Sequence, residues 1–252
     1  MAILDQILYN KATRIIGFTG GKGRNYLLNQ LASELAHNGK TVIISNIEKD
    51  ILPPSGKIIY KQDENKLLSE VKKEIKKHPI IYTGRGIEDH FVTGLKLSGI
   101  RKLISEKLSD YLLLLLGNEK KYSLLDKKDI EKLCKLRLID QLVYCFQLEL
   151  IDQQLNHSQF PNSPEIIKRF PQHKTENLFS QEFISDYLTH KENGAYQLFL
   201  QKWPTFLIFT DINNVFLENR SINLARDLLS KKIKIIFQAN LKENRLKRIP
   251  HR

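Results

Sequence analysis

Near its start the chain reads Arg14-Ile15-Ile16-Gly17-Phe18-Thr19-Gly20-Gly21-Lys22-Gly23-Arg24. It then continues from Asn25 to His37 with Leu27, Leu28, Leu31 and Leu35 at helical spacing. An apolar run, a glycine-rich turn and an amphipathic helix in that order predict one half of a strand–helix–strand crossover, which commits a chain to parallel pairing. Asn38-Gly39 closes the helix with a pair that tolerates left-handed backbone, and Thr41 to Ser45 is short and β-branched, as buried strands are.

The alternation continues. Strands are predicted at 57–61, 79–83, 111–116, 142–146, 204–210 and 233–237, and helices at 64–77, 100–108, 126–137 and 224–231, with regular structure of unassigned type at 183–190. Tyr111-Leu112-Leu113-Leu114-Leu115-Leu116 has no polar face, which suits a central strand covered on both sides, and it is far too short to span a bilayer. From Asn156 to Gln181 the pattern is irregular and rich in Pro, Asn, Gln and His, predicting a long excursion rather than a domain boundary. The expected fold is therefore α/β, a mostly parallel sheet flanked by helices, as one domain over 1–252. With 41% apolar and 27% charged residues the chain is not a disordered one.

Cys134 and Cys145 are the only cysteines, so a disulfide scaffold and an all-cysteine zinc site are both excluded, and both read as inert thiols. The seven histidines show no metal-ligand spacing. The start of the chain lacks the pattern of a signal peptide, and a cytoplasmic location is expected. The net charge of +12 admits an anionic partner or simply a solvated surface, since most lysines lie on wet helix faces such as Lys72-Lys73-Glu74-Ile75-Lys76-Lys77. Only the end is locally basic, with Lys231, Lys232, Lys234, Lys242, Arg245, Lys247, Arg248 and Arg252 against Glu243. No recognition helix or stacking platform accompanies it, so nucleic acid is not the expected partner.

Chemistry concentrates at the glycine turn. Backbone N–H groups of Gly20, Gly21 and Gly23 at a helix start can cradle a phosphate, with Lys22 neutralising its charge and Arg24 adding a second cation. The full G-x-x-x-x-G-K-[ST] pattern is not met: Gly17 lies one residue too close, and Gly23 replaces the hydroxyl that would hold Mg²⁺. Two readings stand, a degenerate Walker A loop and a tight turn with an exposed lysine. Thr19, Ser45, Lys49, Arg85, Lys96 and Asp211 are candidates for the same crevice, because ligands of parallel sheets bind beyond the strand C-termini. Asp211 reads first as a cap for the next element, and no metal ligands are assigned.

The order of these motifs resembles the selenium-dependent molybdenum hydroxylase accessory proteins, often called YqeC-like. The matching stretches are Gly20-Gly21-Lys22-Gly23-Arg24, Ser45-Asn46-Ile47-Glu48-Lys49 before Pro53-Pro54, and Thr83-Gly84 with Lys96-Leu97-Ser98-Gly99-Ile100. The resemblance implies a P-loop NTPase-like three-layer architecture that binds ATP or GTP and a role in maturing a molybdenum hydroxylase or its cofactor. The family's loop threonines and its acidic motif after the central strand are missing here, where the chain reads Leu115-Leu116-Gly117-Asn118. Weak or absent NTPase activity is therefore expected, with Mg²⁺ poorly accommodated. The alternative is a non-enzymatic scaffold that docks a partner protein through its basic surface.

Overall fold

The computed structural model describes residues 6–10, 12–51, 56–117, 124–149, 151–154, 163–173 and 179–250. In chain order the elements begin with β1 (Ile15–Gly20), α1 (Arg24–His37), β2 (Val42–Asn46), β3 (Asp50–Ile51), β4 (Lys57–Tyr60) and α2 (Glu64–Glu74). There follow β5 (Ile80–Gly84), β6 (Gly86–Glu88), β7 (Phe91–Thr93), α3 (Leu97–Glu106), β8 (Tyr111–Leu115), α4 (Lys127–Cys134) and β9 (Gln141–Gln147). The last part holds α5 (Ser163–Arg169), α6 (Gln181–Thr189), α7 (Tyr196–Phe199), β10 (Thr205–Thr210), α8 (Val215–Ser230), β11 (Ile236–Asn240) and β12 (Arg245–Arg248).

Nine strands form one sheet in the order β12-β11-β10-β9-β1-β8-β2-β5-β4. Every pairing is parallel except that of β12 with β11. The leucine run explains itself in this position. Leu112, Leu114 and Leu116 join the core on one face, and Leu113 and Leu115 join the core on the other, as side chains alternating along a doubly covered strand must. The first face is packed by α2, α3, α4, α6 and α8, through residues such as Leu67, Ile100, Ile130, Tyr187 and Leu224. The second is packed by α1, through Leu27, Leu28, Leu31 and Leu35. The result is the expected three-layer α/β architecture, with the strand–glycine turn–helix order of a P-loop NTPase-like fold at its centre.

Three features depart from the sequence expectation. The sheet does not close on 233–237: β11 starts at Ile236, and β12 adds an antiparallel edge strand. Part of the basic end is thus a strand. Arg245, Lys247 and Arg248 are exposed on it while Leu246 is buried, and such charge on an edge strand discourages pairing with another chain. The helix expected at 224–231 is the rear half of α8, whose start is capped by Asn214, its Oδ1 accepting from the Leu217 amide at 2.9 Å. A small second sheet, in the order β3-β7-β6, was not anticipated, because strands of two or three residues carry too little alternation to read. Within 156–181, residues 155–162 and 174–178 lie outside the described part, while α5 and a 3₁₀ turn at Pro171–His173 are ordered structure inside the expected excursion.

Candidate functional site: the glycine turn

Strand β1 lies between β8 and β9, while the chain leaves it through α1 to reach β2, one strand further on. Its C-terminal end therefore sits where successive connections diverge, the place where α/β sheets open a ligand crevice. Gly20 has φ +97°, and a Cβ there would come within 2.1 Å of the Cys145 carbonyl oxygen, so no other residue fits. The same carbonyl accepts from the Gly21 amide at 2.9 Å. Gly23, at φ +98°, occupies the N-cap position of α1 without any side-chain cap. On the far side the Thr210 hydroxyl donates to the Lys22 carbonyl at 2.9 Å. The turn is thus pinned between the ends of β9 and β10. The Lys22 side chain projects outward, 64% exposed, with its Nζ 3.9 Å from Glu149 Oε1.

Arg24 does not face a phosphate site. It is 1% exposed, and its guanidinium lies beneath the turn. One nitrogen meets Asp50 Oδ2 at 2.6 Å, and another donates to the carbonyls of Gly117 at 2.8 Å and Leu116 at 3.4 Å. Asp50, also 1% exposed, accepts from the Ile51 amide as well. Burial pushes its carboxyl up, and Arg24, the Ile51 amide and Asn25 pull it back. The space left beside Thr19, Gly20, Arg24 and Gly117 is about 20 Å³, which is room for about one water.

This arrangement does not fit magnesium. In P-loop enzymes the ion is held by a loop hydroxyl and by an acidic residue of a neighbouring strand. Here Gly23 supplies no hydroxyl, the strand-end carbonyls after β8 accept from a guanidinium, and the carboxylate beneath the turn, Asp50, is already paired with it. Among the described residues no three His, Cys, Asp or Glu side chains gather in a way that could hold a metal.

The other crevice candidates divide into groups. Thr19 and Ser45 are buried at the ends of β1 and β2, and their hydroxyls have no partner among the described residues. Lys49 pairs with Glu88 at 2.9 Å and lies over the Phe91 ring, within the small sheet. Arg85, whose Nε donates to the Gly94 carbonyl at 2.8 Å, shares a cleft of about 640 Å³ with Lys96, the uncapped N-cap of α3. Glu88 lines that cleft too, and Asp89 and His90 make the exposed turn between β6 and β7.

Asp211 caps nothing, since Asn214 does that. It has φ +61°, and its Oδ2 is buried without a partner among the described residues. Burial first, and then Glu149, push its carboxyl up, while Lys22 and Lys242 draw it down. Asp50, Glu149 and Lys242 were not anticipated as members of this site. Each lies outside any motif, and only the fold brings it to the turn. Cys145 is fully buried with its thiol pushed up to about 12, so its carbonyl and not its sulfur serves the site.

Fold and turn together define a three-layer α/β domain with a P-loop-like strand–turn–helix whose inner cation is an arginine. No family model matches the sequence, and no curated protein matches it. Among solved structures the chain is similar to chloroplast FtsY from Physcomitrella patens, with 10% identity and a TM-score of 0.43 over 97% of this chain and 65% of that one. It is also similar to an apo GTPase from Pyrococcus abyssi, with 12% identity and a TM-score of 0.40 over 92% of both chains. The signal recognition particle receptor FtsY from Elizabethkingia anophelis gives 10% identity and 0.43, over 97% of this chain and 64% of that one. The chain thus spans under two thirds of those FtsY chains. At these scores the likeness assigns no activity to this chain, and nothing among the matches singles out the molybdenum hydroxylase accessory family. No helix among the described residues is long and apolar enough to cross a membrane.

Proposed function

We propose that this chain binds a phosphate-bearing small molecule, in the first instance ATP or GTP, at the open side of the Gly20–Gly23 turn, and hydrolyses it weakly or not at all. The observation that carries the second half is the buried Arg24–Asp50 pair: a guanidinium fixed by a carboxylate and two carbonyls sits beneath the turn, where a metal-dependent enzyme needs a hydroxyl and a free acid. The first half is supported by the uncapped start of α1, whose leading amides carry the positive end of the helix, and by the outward Lys22. Arg24 acts in this reading as a fixed internal cation and not as a ligand contact.

Calorimetric titration of ATP and GTP into the wild type and Lys22→Ala tests the site. The variant should lose about tenfold in affinity, the weight of one charge-assisted contact. Unchanged binding removes Lys22 from the site, and no binding by either protein overturns the reading.

A second reading is favoured by one observation, the engagement of the Gly21 amide with Cys145, which removes one donor from the cradle. In that reading the domain is a non-enzymatic scaffold that meets a partner protein through its basic surface. The narrower role of maturing a molybdenum hydroxylase rests on the sequence resemblance alone.

A further inference from the structure

At the sheet edge opposite the glycine turn, the segments entering β1, β9 and β10 frame a cleft of about 690 Å³, a volume suited to a small organic ligand. The six residues of β1 separate it from the turn by roughly 20 Å, at about 3.3 Å per residue. Two of its side-chain acceptors are already engaged. Asp140 Oδ2 takes the amides of Arg14 and Ile15, each at 2.9 Å, and Asn10 Oδ1 takes those of Ala12 and Thr13.

Gln201 Nε2 donates to the Gln197 carbonyl at 2.9 Å, but three other donors have no partner among the described residues. The Trp203 indole N–H is buried without an acceptor among the described residues, an unmet donor in the wall of the cleft. Arg137 and Lys202 line the same cleft and form no ion pair among the described residues. Aromatic surface faces it as well: Tyr9 is 55% exposed, its ring held edge-on to Phe206 at 6.2 Å between centroids. Unmatched donors beside open aromatic rings suit a flat ligand rich in acceptors.

We propose that this cleft is a second binding site, for a planar aromatic anion whose ring packs on Trp203 and Tyr9 and whose anionic oxygens meet Arg137 and Lys202. An aryl carboxylate and a nucleoside monophosphate share that chemistry. The site stands apart from the glycine turn and does not depend on the function proposed there.

Two reporters are built in. Trp203 is the only tryptophan, so tryptophan emission reads this cleft. Cys134 lines it, while the other cysteine, Cys145, is fully buried, so alkylation by N-ethylmaleimide reads Cys134. The full-length protein is titrated with 2-naphthoate, AMP, 2-naphthylmethanol and inorganic phosphate, following both signals. Saturable change in emission with protection of Cys134, by 2-naphthoate or AMP and not by the uncharged ring or the ringless anion, is expected. A response to AMP alone identifies the nucleotide as the source, and one to 2-naphthoate alone identifies the carboxylate. Arg137→Ala combined with Lys202→Ala should weaken binding by about tenfold, and Lys22→Ala should leave it unchanged. Trp203→Phe should abolish the optical signal while Cys134 protection persists. No saturable response to either ring anion overturns the proposal, as does equal binding of 2-naphthylmethanol or an unaltered affinity in the double variant.

Discussion

Arg24 and Asp50 are the residues on which most of the chemistry turns. Each is 1% exposed, and removing one partner strands the other as an uncompensated buried charge. Arg24→Met or Asp50→Leu alone should each cost about 3–5 kcal/mol, whereas the double variant should cost much less than their sum, because no lone charge remains. Urea unfolding of the four proteins measures this directly, and additive losses would mean that the pair is not coupled. Asp211 makes the residue-scale prediction in pH. Its carboxyl titrates above the ordinary carboxylate value because it is buried beside Glu149. Raised in the folded state, it favours folding at low pH, and that contribution disappears as pH rises from the ordinary value through the raised one. Its ionisation also places a negative charge beside Lys22. Anion binding at the turn should therefore weaken across the same window, and Asp211→Asn should flatten that dependence. Lys22 and the glycines were legible as a strand-to-helix turn from their order alone. The inward course of Arg24 was not, since its partner lies 26 residues further along, in a two-residue strand with no periodicity.

Among the elements, the strand–turn–helix at the start follows local rules closely. Leucines at helical spacing fix α1, and Gly20 is demanded by the close approach of the Cys145 carbonyl. Gly20→Ala combines a left-handed φ with a 2.1 Å backbone clash, so it should destabilise by several kcal/mol or yield insoluble protein; a thermal midpoint equal to wild type would contradict the geometry. The leucine strand, β8, was legible for the opposite reason, since a run with no polar face must be covered twice. The β3-β7-β6 sheet was hidden by its brevity, and β12 by its charge, because a strand reading Arg245-Leu246-Lys247-Arg248 gives one apolar residue in four. The small sheet is tied to the turn through Asp50 and to β2 through Asn46, whose amide donates to the Val92 carbonyl at 3.0 Å. Asp50→Asn should accordingly speed amide hydrogen exchange in β3 and β7 more than in β1 or β9. Uniform acceleration across both sheets would show that the pair acts globally and not as a local tie.

For the molecule as a whole, the parallel order sorts the candidate sites by edge. The C-terminal edge carries the glycine turn, Lys22, Asp211 and the Arg85–Lys96 cleft, and the N-terminal edge carries the cleft around Trp203. Exposed basic residues lie on helix faces such as that of α2 and on the edge strand β12. In the proposed reading the cation beneath the turn is Arg24, a fixed part of the chain. The most direct test is calorimetric titration of ATP and GTP in magnesium and again in EDTA, with product release followed in parallel. The proposed reading predicts the same affinity in both buffers and negligible hydrolysis. Binding that appears only with magnesium, or turnover that requires it, would contradict the role given to Arg24.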